Sequence, residues 1–114
     1  MLRRVRPRFE DQVDAPPVHI DVRTRIVRVA GRRVQLAQKE YELLLWLARE
    51  PERVFKRAEL LQEVWGYGVG TRTRTLDSHA SRLRRKLRDA GSPVELVENH
   101  WGVGYRLLPS LPED

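Results

Sequence analysis

The stretch from Arg72 to Arg88 constrains this chain more than any other. It carries seven basic residues, Arg72, Arg74, Arg82, Arg84, Arg85, Lys86 and Arg88, against a single acid, Asp77. Its net charge of +6 equals that of the whole 114-residue chain, so the remainder balances to zero. Within it Leu76, Ala80, Leu83 and Leu87 recur at steps of four, three and four. At about 100° per residue they share one narrow stripe, which predicts an amphipathic helix laid on a core. Nearly opposite that stripe fall Arg74, Ser78, Ser81, Arg82 and Arg85. Arginines interleaved with short hydroxyl side chains suit a major groove, where arginine reads guanine edges bidentately and hydroxyls approach closely. The plainer alternative is a solvated basic face. Against it, acids that would offset the arginines at three- or four-residue spacing are nearly absent, and small residues occupy the centre of the polar face.

The rest of the composition narrows the function classes. A pI near 10.5 points to an anionic partner, nucleic acid or an acidic membrane face. No apolar run approaches the roughly 20 residues of a membrane span, and Met1-Leu2-Arg3-Arg4 lacks the apolar core of a secretion signal. With no cysteine there is no disulfide framework, thiolate nucleophile or cysteine-ligated zinc, which fits a reducing cytoplasm. Three scattered histidines and no Gly-x-Ser-x-Gly elbow give an enzyme no support, and no metal or cofactor is expected.

Residues 1–17 read as a flexible tail or linker, because clustered arginines, acids and Pro16-Pro17 show no sustained period. From Val18 the pattern alternates. Val18–Val22, Ile26–Val29 and Val34–Leu36 predict an antiparallel meander, with room for a further strand before Val18. A helix follows over Gln38–Arg49, poorly capped by Ala37 and ended by Pro51. A second runs from Arg57 to Trp65, and Trp46 and Trp65 are expected in the core. Three glycines within Gly66–Thr71 make a connection whose exposure would let Tyr67 and Val69 touch a partner. After the basic helix, Val94–Val97 and Tyr105–Leu108 predict two strands joined by residues 98–104, with Trp101 near the tip. Trp101 either folds back into the core or meets a sugar-phosphate backbone.

Four segments, Leu36–Leu44, Leu60–Gly66, Arg74–Leu87 and Trp101–Leu107, together resemble the DNA-binding effector domain of OmpR/PhoB-type response regulators. The resemblance covers about residues 18–109, leaving 110–114 as a tail. It implies an α+β winged helix-turn-helix: an N-terminal antiparallel four-stranded sheet, a three-helix core and a C-terminal β-hairpin wing. It also implies binding of double-stranded DNA at direct-repeat sites by tandem protomers, with transcription as the output.

Carried over position by position, the resemblance places base reading on Thr75, Asp77, Ser78 and Arg82. It places phosphate contacts on Arg74, His79, Ser81 and Arg84. Helical projection adds Arg85 as a secondary base contact. Asp77 either accepts from a cytosine amino group or orients a neighbouring arginine. The wing residues are Asn99, His100 and Trp101. Trp101 stands where some relatives carry a minor-groove arginine, so stacking on the backbone replaces arginine reading. RNA polymerase contact falls on the loop holding Tyr67, Val69, Thr71 and Arg72. A receiver domain and sensor kinase are implied by the family, but no acidic cluster following a parallel strand is present to supply the receiver. A winged-helix module that docks an acidic protein is the alternative function.

Overall fold

The structure is a computed structural model that describes residues 11–66 and 73–108. Four short antiparallel strands open the fold in the order β1-β2-β3-β4: β1 Gln12–Ala15, β2 Val18–Asp21, β3 Ile26–Val29 and β4 Arg32–Val34. Alternation does the work expected of it. Val13, Ala15, Val18, Ile20, Val27 and Val29 turn inward, while Asp14, His19, Arg28 and Arg33 form one cross-strand row on the outer face. Two residues, Ala30 and Gly31, join β3 to β4, both at positive φ as a hairpin turn matched to strand twist requires.

The sheet differs from the sequence expectation at both ends. It begins at Gln12, ahead of the Val18 boundary, because Val13 and Ala15 pair with β2 and reach the core. The last strand is Arg32–Val34, not Val34–Leu36, since the two-residue turn fixes the register that pairs Val27 with Val34. Residues 1–10 and 110–114, assigned above to tails, lie outside the described residues, as does Pro109.

Helix α1 spans Gln38–Arg49 and buries Tyr41, Leu43, Leu44, Leu47 and Ala48. Ala37 offers no side-chain cap, and Glu40 instead accepts the Ala37 N–H at 2.9 Å. Helix α2 covers Arg57–Leu60 and continues as π-helical turns over Leu61–Gly66, where an uninterrupted helix to Trp65 was expected. The Lys39 ammonium donates to the Val64 carbonyl at 2.8 Å within that widened segment. Trp46 and Trp65 are half-buried at the rim of the core instead of inside it; Trp46 meets Phe55 edge-on at 6.5 Å.

Helix α3, Thr73–Asp89, is the predicted basic helix. Leu76, Ala80, Leu83 and Leu87 are completely buried.

The C-terminal sheet departs most from expectation. Val94–Val97 is not a strand: Val97 sits at φ 63° and both Leu96 and Val97 are buried, and two adjacent inward residues are incompatible with a strand's period of two. The hairpin is β6 Glu98–His100 and β7 Gly104–Arg106, and a strand of two residues, β5 Phe55–Lys56, pairs with β7. Gly104 serves that pairing instead of the hairpin turn. A Cβ there would lie 1.7 Å from the Phe55 carbonyl oxygen, so no other residue lets β5 approach.

Candidate nucleic-acid interface

Helix α3 presents three longitudinal surfaces with different chemistry. The buried stripe faces α1. The opposite surface holds Arg74, Ser78, Ser81, Arg82 and Arg85, all exposed. Arg74, Ser78, Ser81 and Arg85 make no side-chain hydrogen bond or ion pair among the described residues. The guanidinium and hydroxyl groups of Arg74, Ser78, Ser81 and Arg85 are free to bond an external acceptor, whereas Arg82 on the same face lies within reach of Glu40.

Each flank of α3 is fastened. On one flank Glu40 of α1, its side chain 3% exposed, accepts from Lys86 Nζ at 2.7 Å and lies 3.7 Å from Arg82 Nε. Burial raises the Glu40 pKa, but the Lys86 hydrogen bond, the Ala37 N–H and the charges of Lys86 and Arg82 outweigh it and hold the carboxyl below its ordinary value. Arg82 is thus a loosely tethered, exposed guanidinium. His79 adds a ring nitrogen bonded to the Thr75 carbonyl at 2.9 Å and an edge-on contact with Trp65 at 5.1 Å. Because a carbonyl only accepts, Nδ1 carries the proton, and Nε2 donates outward only when the ring is charged.

On the other flank Asp77 Oδ1 accepts from the Tyr105 hydroxyl at 2.6 Å and from Arg57 Nη1. Arg57 also donates to Asn99 Oδ1 at 3.2 Å and lies over the Tyr105 ring. Of the two readings of Asp77, the structure supplies the arginine partner, and it comes from α2. Burial opposes ionisation of Asp77, yet the Tyr105 and Arg57 hydrogen bonds hold its pKa below the usual range. Tyr105 is pushed up to about 12 by burial and by the same carboxylate. Arg84 Nε donates to the Val97 carbonyl at 3.1 Å, fixing the start of the hairpin.

The hairpin projects beside this helix. His100 Nε2 donates to Glu98 at 2.9 Å, and Glu98 also pairs with Arg106, so Arg106 and His100 hold the Glu98 carboxyl below its ordinary value. At the turn between β6 and β7, Trp101 is 83% exposed and Val103 is half-exposed. The structure therefore decides against the core reading of Trp101. Tyr67, Val69, Thr71 and Arg72 lie outside the described residues.

Sequence reasoning missed Glu40, Arg57 and Tyr105. Each had a signal in retrospect: an acid on the apolar side of α1, an arginine opening α2 and a tyrosine in the last predicted strand.

Among the described residues there is no cluster of side chains that would hold a metal ion, and no helix long and apolar enough to cross a membrane.

Residues 31–107 match the family described as "Transcriptional regulatory protein, C terminal". The chain is 40% identical over 101 residues to the transcriptional regulatory protein SrrA of Staphylococcus aureus, covering 88% of this chain and 42% of SrrA. It thus spans less than half the length of that relative. Among solved structures it is similar to the DNA-binding domain of the response regulator AdeR in complex with an intercistronic region, at TM-score 0.76 and 32% identity, covering 85% of this chain and 99% of that one. It is also similar to DrrB, an OmpR/PhoB homolog of Thermotoga maritima, at TM-score 0.72 and 31% identity over 86% of this chain and 44% of that one.

Proposed function

The chain belongs to the family of C-terminal domains of transcriptional regulatory proteins, with the OmpR/PhoB winged-helix fold, and from that membership we propose that it binds duplex DNA by sequence and regulates transcription. The observation that carries this reading is the outward face of α3: exposed Arg74, Ser78, Ser81 and Arg85 with no side-chain partner among the described residues, beside a loosely held Arg82, on a helix fastened along both flanks. Fastening matters because a reading helix must hold its side chains in register with base edges.

In this account Thr75, Ser78, Arg82 and Arg85 read bases, and Arg82 bonds a guanine by leaving its loose tether to Glu40. Asp77 holds the helix to the wing through Tyr105 and Arg57, a positioning role that replaces base contact. Arg74, His79, Ser81 and Arg84 meet phosphates, with His79 donating through Nε2 in its charged form. Asn99 and His100 support the wing, and Trp101 rests against the sugar-phosphate backbone or minor groove. By the same family reasoning, protomers bind in tandem on direct repeats in the cytoplasm, Tyr67, Val69, Thr71 and Arg72 meet RNA polymerase, and a receiver domain answering to a sensor kinase belongs to the wider assembly.

Selection of bound duplexes from a random DNA pool at about 0.15 M salt, where phosphate attraction is weakened, tests the proposal. Recovery of a short motif repeated in one orientation about a helical turn apart is the expected outcome. Retention without enrichment that vanishes as salt rises would overturn it and favour docking on an acidic protein.

A further inference from the structure

Glu40 is buried too deeply to meet a nucleic acid, yet it bears on the helix that would read one. Its side chain is 3% exposed on α1, and its two carboxylate oxygens have divided roles. Oε1 carries the scaffold bonds, accepting from the Ala37 N–H at 2.9 Å and from Lys86 Nζ at 2.7 Å. Oε2 lies 3.7 Å from Arg82 Nε, too far for a formed hydrogen bond but close enough for attraction between a buried anion and a half-exposed guanidinium. Arg82 and Lys86 stand one helical turn apart on α3, so both reach the same carboxylate. Of the three arginines on the outward face, Arg74, Arg82 and Arg85, only Arg82 meets an anion among the described residues.

We propose that Glu40 competes with guanine for Arg82 and so limits affinity for the cognate duplex, a restraint exerted from beneath the reading helix. The inference rests on the reading of Arg82 as a base contact. Without a hydrogen bond to Arg82, Glu40 attracts the guanidinium but does not steer its fork. Moving the guanidinium outward to a base edge gives up that attraction. A group that occupies its binding-competent position only part of the time binds more weakly in proportion. On a sequence with no guanine at that position Arg82 stays beside Glu40, and little is given up. The restraint is therefore felt most on the cognate site. Its removal gives a chain that is less stable and binds its own site more tightly, a combination that a carboxylate with only a structural role does not produce.

A double-mutant cycle tests it, with Glu40→Gln made in the parent chain and in Arg82→Ala, and Kd measured on the selected and a scrambled duplex at about 0.15 M salt. Glu40→Gln keeps an oxygen for Ala37 and Lys86 and removes the charge that faces Arg82. In the parent chain it is expected to tighten the selected duplex by about two- to fivefold, the span of a partly solvated ion pair, and the scrambled duplex by less. In Arg82→Ala the difference between the two duplexes is expected to vanish. Glu40→Asp, which keeps the buried charge but draws it back from Arg82 by one methylene, is a second variant with a gain of the same sign expected. Unchanged or weaker binding of the selected duplex in both variants, a gain equal on both duplexes, or a difference that persists in Arg82→Ala would overturn the proposal. If Arg82→Ala itself left the ratio of the two affinities at the parent value, the reading of Arg82 would fall and the proposal with it.

Discussion

The hydroxyl of Tyr105 in β7 donates to Asp77 Oδ1 in α3 at 2.6 Å, and Arg57 donates to the same oxygen from α2. One carboxylate oxygen therefore joins the helix that faces outward, the helix before it and the wing. Through Arg57 and Asn99 the junction extends to β6.

Tyr105→Phe removes the donor but keeps the ring that packs in the core. It is expected to destabilise the fold by about 0.5–1.5 kcal/mol, the ordinary worth of one hydrogen bond. Asp77→Ala is expected to cost more, about 1–3 kcal/mol, because it removes the acceptor shared by Tyr105 and Arg57 and leaves Arg57 with Asn99 as its remaining carbonyl acceptor. Urea denaturation of the two variants checks the order. Equal stability of Asp77→Ala and the parent chain would place Asp77 outside the scaffold and return it to base reading.

Glu40 makes stability depend on acid. Its folded pKa lies below the ordinary value of 4.5, despite the opposing effect of burial, because Lys86, the Ala37 N–H and Arg82 favour the charged form. The stabilisation is fully present above pH 4.5 and is lost as pH falls through the lowered folded value. Glu40→Gln is expected to cost about 1–2 kcal/mol at pH 7, moderated because Lys86 remains partly in solvent, and to flatten the stability profile below pH 4.5. Thermal unfolding of both proteins from pH 7 to pH 3 measures it; parallel profiles would contradict the assignment.

Trp101 is 83% exposed, so the fold gains little from it. Trp101→Ala is expected to leave stability within about 0.5 kcal/mol while weakening duplex binding by about 1–2 kcal/mol. A variant that loses stability and binding together would show that the indole packs on the protein after all.

The sequence made the α3 stripe legible because a 17-residue helix gives four turns of a consistent period, and Leu76, Ala80, Leu83 and Leu87 are buried as that period requires. The outer sheet was legible for a similar reason, apart from a register set by the Ala30-Gly31 turn. The Val94–Val97 run misled because its apolar residues alternate poorly: Val94 is exposed while Leu96 and Val97 both enter the core. Strand β5 has only two residues, too few to show any period, and exists because Gly104 lets Phe55 approach. Glu40 was invisible because the cations that make its burial tolerable come from 42 and 46 positions away, and long-range pairing leaves no local trace.

Arg82 and Arg84 separate the central claim from its alternatives. Arg82 is exposed and loosely held at 3.7 Å by Glu40, whereas Arg84 is fixed to the Val97 carbonyl and flanks the helix. The deciding measurement is the affinity of Arg82→Ala and Arg84→Ala for the selected duplex and for a scrambled duplex at about 0.15 M salt. Arg82→Ala is expected to lose about 1–3 kcal/mol on the selected duplex and little on the scrambled one, while Arg84→Ala weakens both evenly and lowers the salt dependence by about one counterion. Equal losses on both duplexes for both variants would contradict sequence reading by this face and leave a basic surface that attracts phosphate without discrimination.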